Sequence, residues 1–108
     1  MTKASYTVSK DTAKQGKNGE RHLIAGEGSA MRMWDAEQPA DSADKPVTRN
    51  AYETLGYVVA GQVELSVDGQ TITLKAGDSY RVPRDTDHTY RVLEQLTAIE
   101  VTTPAADK

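Results

Sequence analysis

Apolar and polar residues alternate most strictly between positions 63 and 74. Val63, Leu65 and Val67 are interleaved with Glu64 and Ser66, and Ile72 and Leu74 with Thr71 and Thr73. Successive side chains on a strand point to opposite faces, so each run predicts a half-buried strand. Asp68-Gly69 lies between them. An Asp-Gly pair accepts the positive φ that a type I′ turn needs at both central positions, and it predicts a two-residue hairpin. A turn at 68–69 sets Val67 opposite Gln70, Leu65 opposite Ile72 and Val63 opposite Leu74. Ser66 then faces Thr71, and Glu64 faces Thr73. One side of the pair is apolar and the other polar, and a slip by one residue would mix them.

Shorter runs surround this hairpin. Residues 22–26 and 30–36 predict two strands separated by Glu27-Gly28-Ser29. In the second, Met31 and Met33 alternate with Arg32 and Trp34, and the methionines read as core filler. Residues 52–60, 79–83, 88–94 and 96–103 predict further strands, with Pro83 and Pro104 ending two of them. Residues 37–47 contain Pro39 and Pro46 and predict a loop or linker. Residues 1–20 are polar and predict an arm with one short strand at Tyr6–Ser9. No stretch has a helical period. Short strands with a turn every 8–12 residues indicate an all-β sandwich or barrel. The expected organisation is an N-terminal arm over 1–20, partly flexible, a barrel over 21–104 and a tail over 105–108.

Composition narrows the function. A chain of 108 residues suits one domain. Its apolar content of 37% is low, but 13 basic against 16 acidic residues leave a net charge of only −3, too balanced for a charge-driven disordered chain. No run approaches the roughly 18 apolar residues that span a bilayer, and the first residues lack the apolar core of a signal peptide. The acidic balance argues against a nucleic-acid partner. The chain has no cysteine, which removes disulfides, thiolate metal sites and Cys nucleophiles and fits the cytoplasm.

The segment GDSYRVPRDTDH, with Gly77, Pro83 and His88, resembles the second motif of the cupins, G-(x)5-P-x-G-(x)2-H-(x)3-N. The upstream YETLGYVVAGQVELSVDGQ resembles the end of their first motif and the hairpin between the two. The likeness covers residues 47–103. Asp85 stands where the pattern has Gly, and Val92 where it has Asn. The resemblance implies a cupin-like jelly-roll β-barrel, a homodimer, and usually one metal ion held by three His and a Glu. The first motif, H-x-H-(x)3,4-E-(x)6-G, counted back from Gly61, puts Thr54 at the Glu position and Asn50 and Thr48 at the His positions. The longer spacing gives Arg49 and Val47. Of the implied ligands only His88 is present, so the first motif is degenerate.

Counting settles part of this. The chain has two histidines, His22 and His88, so one chain cannot supply three imidazoles. The expectation is no cofactor. The alternative is one divalent transition metal near His88, held by His22, His88 and Glu53 as a two-His-one-carboxylate set. Glu53 is out of parity with Thr54 and should point away.

Thr48, Asn50, Tyr52 and Thr54 share parity, and His88 and Tyr90 face them from another strand. With Trp34 as a lid or an interface residue, these seven are the candidate ligand-binding residues. Equally, their polar tips could satisfy one another. His88 as a general base would need an orienting carboxylate, and Asp85 and Asp87 are the nearest in sequence. No catalytic residue is assigned. Glu53, Glu64 and Glu100 read as solvated strand faces. There is no Ser-His-Asp set and no phosphate loop.

Three functions remain open. One is a metal-free barrel that binds a small molecule as a sensing or accessory module. The second is a small metal-dependent cupin enzyme, a dioxygenase or isomerase, with a rearranged site. The third is an oligomer-forming structural module. An open strand edge within 22–36 would favour pairing with the arm or with a second chain.

Overall fold

The structure, a computed structural model, describes residues 6–39 and 46–105. Its strands are β1 (Lys14–Gln15), β2 (Arg21–Ala25), β3 (Ala30–Glu37), β4 (Glu53–Val67), β5 (Gln70–Lys75), β6 (Ser79–Val82) and β7 (His88–Thr103). Every pairing is antiparallel, and there is no α-helix among the described residues. The β4–β5 hairpin has the register that its alternation dictates, with Val67 opposite Gln70, Leu65 opposite Ile72 and Val63 opposite Leu74. Asp68 and Gly69 have φ of 50° and 78°, as a type I′ turn requires.

β4 and β7 build the barrel because each serves two sheets. The first half of β4 lies between β6 and the second half of β7, so that Gly56 is opposite both Tyr80 and Glu100. The second half lies between β5 and the first half of β7, where Leu65 is opposite Ile72 and Tyr90. β3 adds to the outer edge of β7, followed by β2 and β1. The sequence breaks at Gly61 and Gln95 are therefore bends within continuous strands. The register of β4 against β7 shifts between Val58 and Val63. Gly61 has φ 89°, and a Cβ there would overlap the Gln95 carbonyl oxygen, so only glycine fits this corner. Val58, Val63, Leu65, Val82, Val92, Leu96 and Ala98 form the buried apolar core inside the bend. No helix among the described residues is long and apolar enough to cross a membrane.

Three expectations need correction. Tyr6–Ser9 carries no strand; the exposed Tyr6 and Val8 have no sheet to join, and the short strand is Lys14–Gln15, which turns back onto β2. The loop expected over 37–47 begins later, since Glu37 still pairs with Leu96; residues 40–45 lie outside the described residues. Met31 and Met33 do not join the core. On β3 it is Arg32 and Trp34 that face inward, and Trp34 packs against the core cluster. The edge expected within 22–36 is covered in part: β3 is paired on both sides, and β1, from the expected arm, pairs with Arg21 and His22 of β2 but not with residues 23–25.

Candidate ligand site inside the barrel

One inward-facing row crosses four strands at a single level. Arg32 on β3 pairs with Glu100 on β7, Glu100 with Gly56 on β4, and Gly56 with Tyr80 on β6. Gly56 has no side chain, so the Tyr80 ring lies across it; a Cβ there would overlap the ring. That approach brings the Tyr80 hydroxyl to Glu100 Oε2, to which it donates at 2.5 Å. Tyr90 donates to the same oxygen at 3.3 Å. Oε1 accepts from Arg32 Nε at 2.7 Å and from Trp34 Nε1 at 3.2 Å. Each carboxylate oxygen thus has two donors, which compensates for burying a group that is 1% exposed.

Arg32 is itself held on its other side. Its Nη1 donates to Tyr52 Oη at 3.3 Å, and its guanidinium carbon lies 5.6 Å from the Tyr52 ring centre and 6.0 Å from that of Trp34. Burial opposes the Arg32 charge, but Glu100 and Tyr52 outweigh it and hold the pKa above its ordinary value. Burial, and then the adjacent Glu100 carboxylate, push the Tyr80 and Tyr90 phenols well above the usual tyrosine range. Both therefore remain hydrogen-bond donors at neutral pH. A cavity of about 20 Å³ adjoins this cluster, lined by Trp34, Glu37, Val63, Tyr80, Tyr90, Val92, Leu96 and Glu100. That is room for about one water.

Glu100 is the largest correction, since it was expected on a solvated face. Its parity with the buried Leu96 and Ala98 marks it as inward, whereas the apolar Ile99 and Val101 suggest the opposite. Tyr80 was also missed. The signal was Gly56, a glycine in a run of β-branched and aromatic residues, which marks a close approach.

The seven sequence candidates divide into groups. Trp34, Tyr52 and Tyr90 belong to the Arg32–Glu100 cluster. Thr54 is buried, facing inward beside Thr102. Asn50 and His88 meet elsewhere, with Asn50 Nδ2 3.4 Å from His88 Nε2. The Thr86 carbonyl, 2.9 Å from His88 Nδ1, can only accept, so Nδ1 carries the hydrogen and Nε2 accepts from Asn50. The His88 ring also meets Tyr90 edge-on, 5.9 Å between centres. Thr48 makes a backbone bridge to His88, but its side chain is exposed. An open depression of about 160 Å³ lies beside His88, between Val47 and the Asp68–Gly69 turn.

The donor set does not fit the family's metal. Thr48, Asn50 and Thr54 occupy the motif positions, and none offers imidazole or carboxylate. The rearranged set does not assemble either. Glu53 points outward, 3.5 Å from Arg81 Nη1, and His22 sits 3.5 Å from Glu20. No group of three metal-ligating His, Cys, Asp or Glu side chains occurs among the described residues. Among the described residues no carboxylate orients His88: its ring nitrogens meet the Thr86 carbonyl and Asn50, and Asp87 is bound to Arg49 at 2.9 Å. Asp85, where the motif has Gly, has φ 54°, a left-handed conformation that Asp tolerates better than most residues.

These features define an antiparallel double-sheet barrel with a buried polar cluster. The cupin domain model matches residues 36–102, and the chain belongs to this family. Among solved structures, an RmlC-like cupin from Shewanella frigidimarina is similar at 22% identity and a TM-score of 0.81, covering 99% of this chain and 97% of that one. KdgF from Halomonas is similar at 19% identity and a TM-score of 0.72, covering 94% of both chains. Pac13, described as a unique nucleoside dehydratase, is similar at 16% identity and a TM-score of 0.75, covering 95% of this chain and 85% of that one. Streptomyces Pac13 variants have also been solved with uridine. At these identities the likeness shows the shared fold alone. No curated protein matches the chain.

Proposed function

We propose that this cupin binds a small, polar molecule without a metal and works as a sensing or accessory module in the cytoplasm. The carrying observation is the Arg32–Glu100 pair, buried among Trp34, Tyr52, Tyr80 and Tyr90. A buried ion pair is a weak source of stability, and apolar residues of similar volume often do as well or better. Its presence beside a cavity argues for recognition. The small cavity sets the class: a hydroxyl group enters beside Tyr80 and Tyr90, whose oxygens accept from it while their hydrogens stay on Glu100, and the body of the ligand rests at the mouth against Trp34. Glu100 cancels the Arg32 charge, which favours an uncharged ligand. Thr54, Asn50 and His88 lie outside the lining of this cavity, His88 beside the open depression instead, and Thr48 contributes only backbone.

The description of Pac13 as a nucleoside dehydratase makes uridine the first probe. The test is a thermal-shift and calorimetric titration with uridine and a panel of neutral and charged small molecules, alongside metal analysis of protein purified without chelator. The expected result is saturable binding of a neutral compound that weakens at least tenfold in Tyr52→Phe and Arg32→Met, with no stoichiometric metal. Stoichiometric iron, manganese, nickel or zinc that is lost in His88→Ala would overturn this reading in favour of a metal-dependent enzyme.

A further inference from the structure

β3 is irregular where it reaches the cavity. Trp34 is opposite Ala98 and Glu37 is opposite Leu96, so three steps along β3 match two along β7. The extra residue makes a bulge. Ala36 sits in it with φ 56°, a left-handed conformation that strains any residue with a Cβ and that bulges usually give to glycine. The Ala36 N–H donates to Thr97 Oγ1 on β7 at 3.2 Å, which braces the bulge. Opposed residues of an antiparallel pair share a face, and Leu96 is buried in the core. Glu37 therefore points inward. In a regular strand Ala36 would take that place and Glu37 would point to solvent. The strained bulge thus exchanges a methyl group for a carboxylate in the cavity lining, where Glu37 lies with Trp34, Tyr80 and Tyr90. Backbone strain of this kind clusters at ligand sites, and bulges there re-aim a side chain.

The polar lining has a single hydrogen-bonding sense. The Trp34, Tyr80 and Tyr90 hydrogens are all directed at Glu100. The phenols have only oxygen lone pairs left for the cavity, and an ionised Glu37 carboxylate is acceptor-only. Resting on the reading of this cavity as the ligand site, we propose that Glu37 is its second ligand-binding group and that the ligand is a neutral compound with two hydroxyl groups on neighbouring carbons. One hydroxyl donates to the phenol oxygens inside. The other donates to Glu37, which is half-buried and so lines the side toward solvent. A single small cavity touches both sets of acceptors, which keeps the two hydroxyls close together. A ketone, carboxylate or phosphate would bring acceptors against acceptors, and the lining refuses it.

The chain has one tryptophan, so the Trp34 indole N–H gives a single nitrogen-correlated NMR signal beside the cavity. The test follows that signal in the full chain during titration with trans-cyclohexane-1,2-diol, cyclohexanol and cyclohexanone, three probes that share a ring and differ in donors. The expected result is a saturable shift with the diol, binding about tenfold tighter than cyclohexanol, the worth of one hydrogen bond to a charged group. Cyclohexanone should give no saturable shift. In Glu37→Leu the diol should fall to the affinity of cyclohexanol, while cyclohexanol itself is unchanged, which also checks that the variant is folded. Ala36→Gly keeps the bulge and relieves its strain, so it should raise the thermal midpoint and keep the preference for the diol. Equal binding of diol and cyclohexanol, binding of the ketone as tight as the alcohol, or a diol preference that survives Glu37→Leu would each overturn the proposal. Silence of all three probes would overturn it too. Uridine or another compound of the earlier panel binding in that case would leave the broader reading of a ligand site standing, and silence there as well would remove both.

Discussion

The Tyr80 ring occupies the space that a side chain at Gly56 would fill, and by doing so its hydroxyl reaches Glu100. Gly56→Ala must therefore displace the ring and weaken that hydrogen bond. Overpacking of this kind costs about 1–3 kcal/mol. The expected outcome is a lower midpoint in urea unfolding. In a double-mutant cycle, Gly56→Ala should cost much less in a Tyr80→Ala background, where the ring is absent. Additive effects would show that ring and glycine are not coupled.

Glu100 neutralises Arg32 where both are shielded from water, with side chains 1% and 15% exposed. Replacing Glu100 by Gln leaves the guanidinium without its counter-charge and should cost about 3–5 kcal/mol, as for other broken buried pairs. Glu100→Leu combined with Arg32→Met removes both charges and should be milder than Glu100→Gln alone. Chemical denaturation of the two variants against wild type checks the order. The reverse order would mean that the pair contributes stability beyond mutual neutralisation.

What the sequence disclosed depended on whether polarity and burial agreed. In the β4–β5 hairpin they agree, and strand, turn and register could all be read from the Asp68-Gly69 pair and the period of two. The inward direction of Thr54 and Tyr90 followed from parity, whereas the sequence grouped Asn50 and His88 only as facing residues and did not specify their pairing. On β3 and the second half of β7 the agreement fails. Met31, Met33, Ile99 and Val101 face out, while Arg32 and Glu100 face in, so the rule that apolar residues are buried assigns the wrong face to both strands. A period of two gives the two faces of a strand but not which one is inside. Pairing with Gly56 and Tyr80 decides that, and such long-range contacts are absent from local pattern.

Gly61 closes the corner where β4 passes from one sheet to the other. Its φ of 89° is left-handed, and any Cβ would overlap the carbonyl of Gln95 on β7. Gly61→Ala carries both the conformational penalty and the overlap, and should cost more than about 2 kcal/mol. Gly69→Asn is the control, since Gly69 has φ 78° with open space around it and Asn accepts that conformation. A thermal midpoint that falls sharply for the first variant and little for the second is the expected result. Equal losses would place the strain in φ alone.

Tyr80 and Tyr90 set an alkaline limit to the fold. Burial and the Glu100 carboxylate raise both phenols in the native state, whereas in the unfolded chain they ionise near pH 10. Below pH 10 both states hold the protons, and the stabilising contribution is fully present. Above pH 10 the unfolded chain releases protons that the native chain retains, so stability falls by about 1.4 kcal/mol per pH unit for each tyrosine. The wild-type protein should therefore unfold cooperatively in base, with the last phenolate absorbance appearing together with loss of the sheet dichroism. Tyr90→Phe removes one of the two linked groups and should flatten the decline of unfolding free energy above pH 10, whatever it does to stability at neutral pH. Parallel slopes for wild type and Tyr90→Phe would mean that Tyr90 ionises in the native protein and is not held by Glu100.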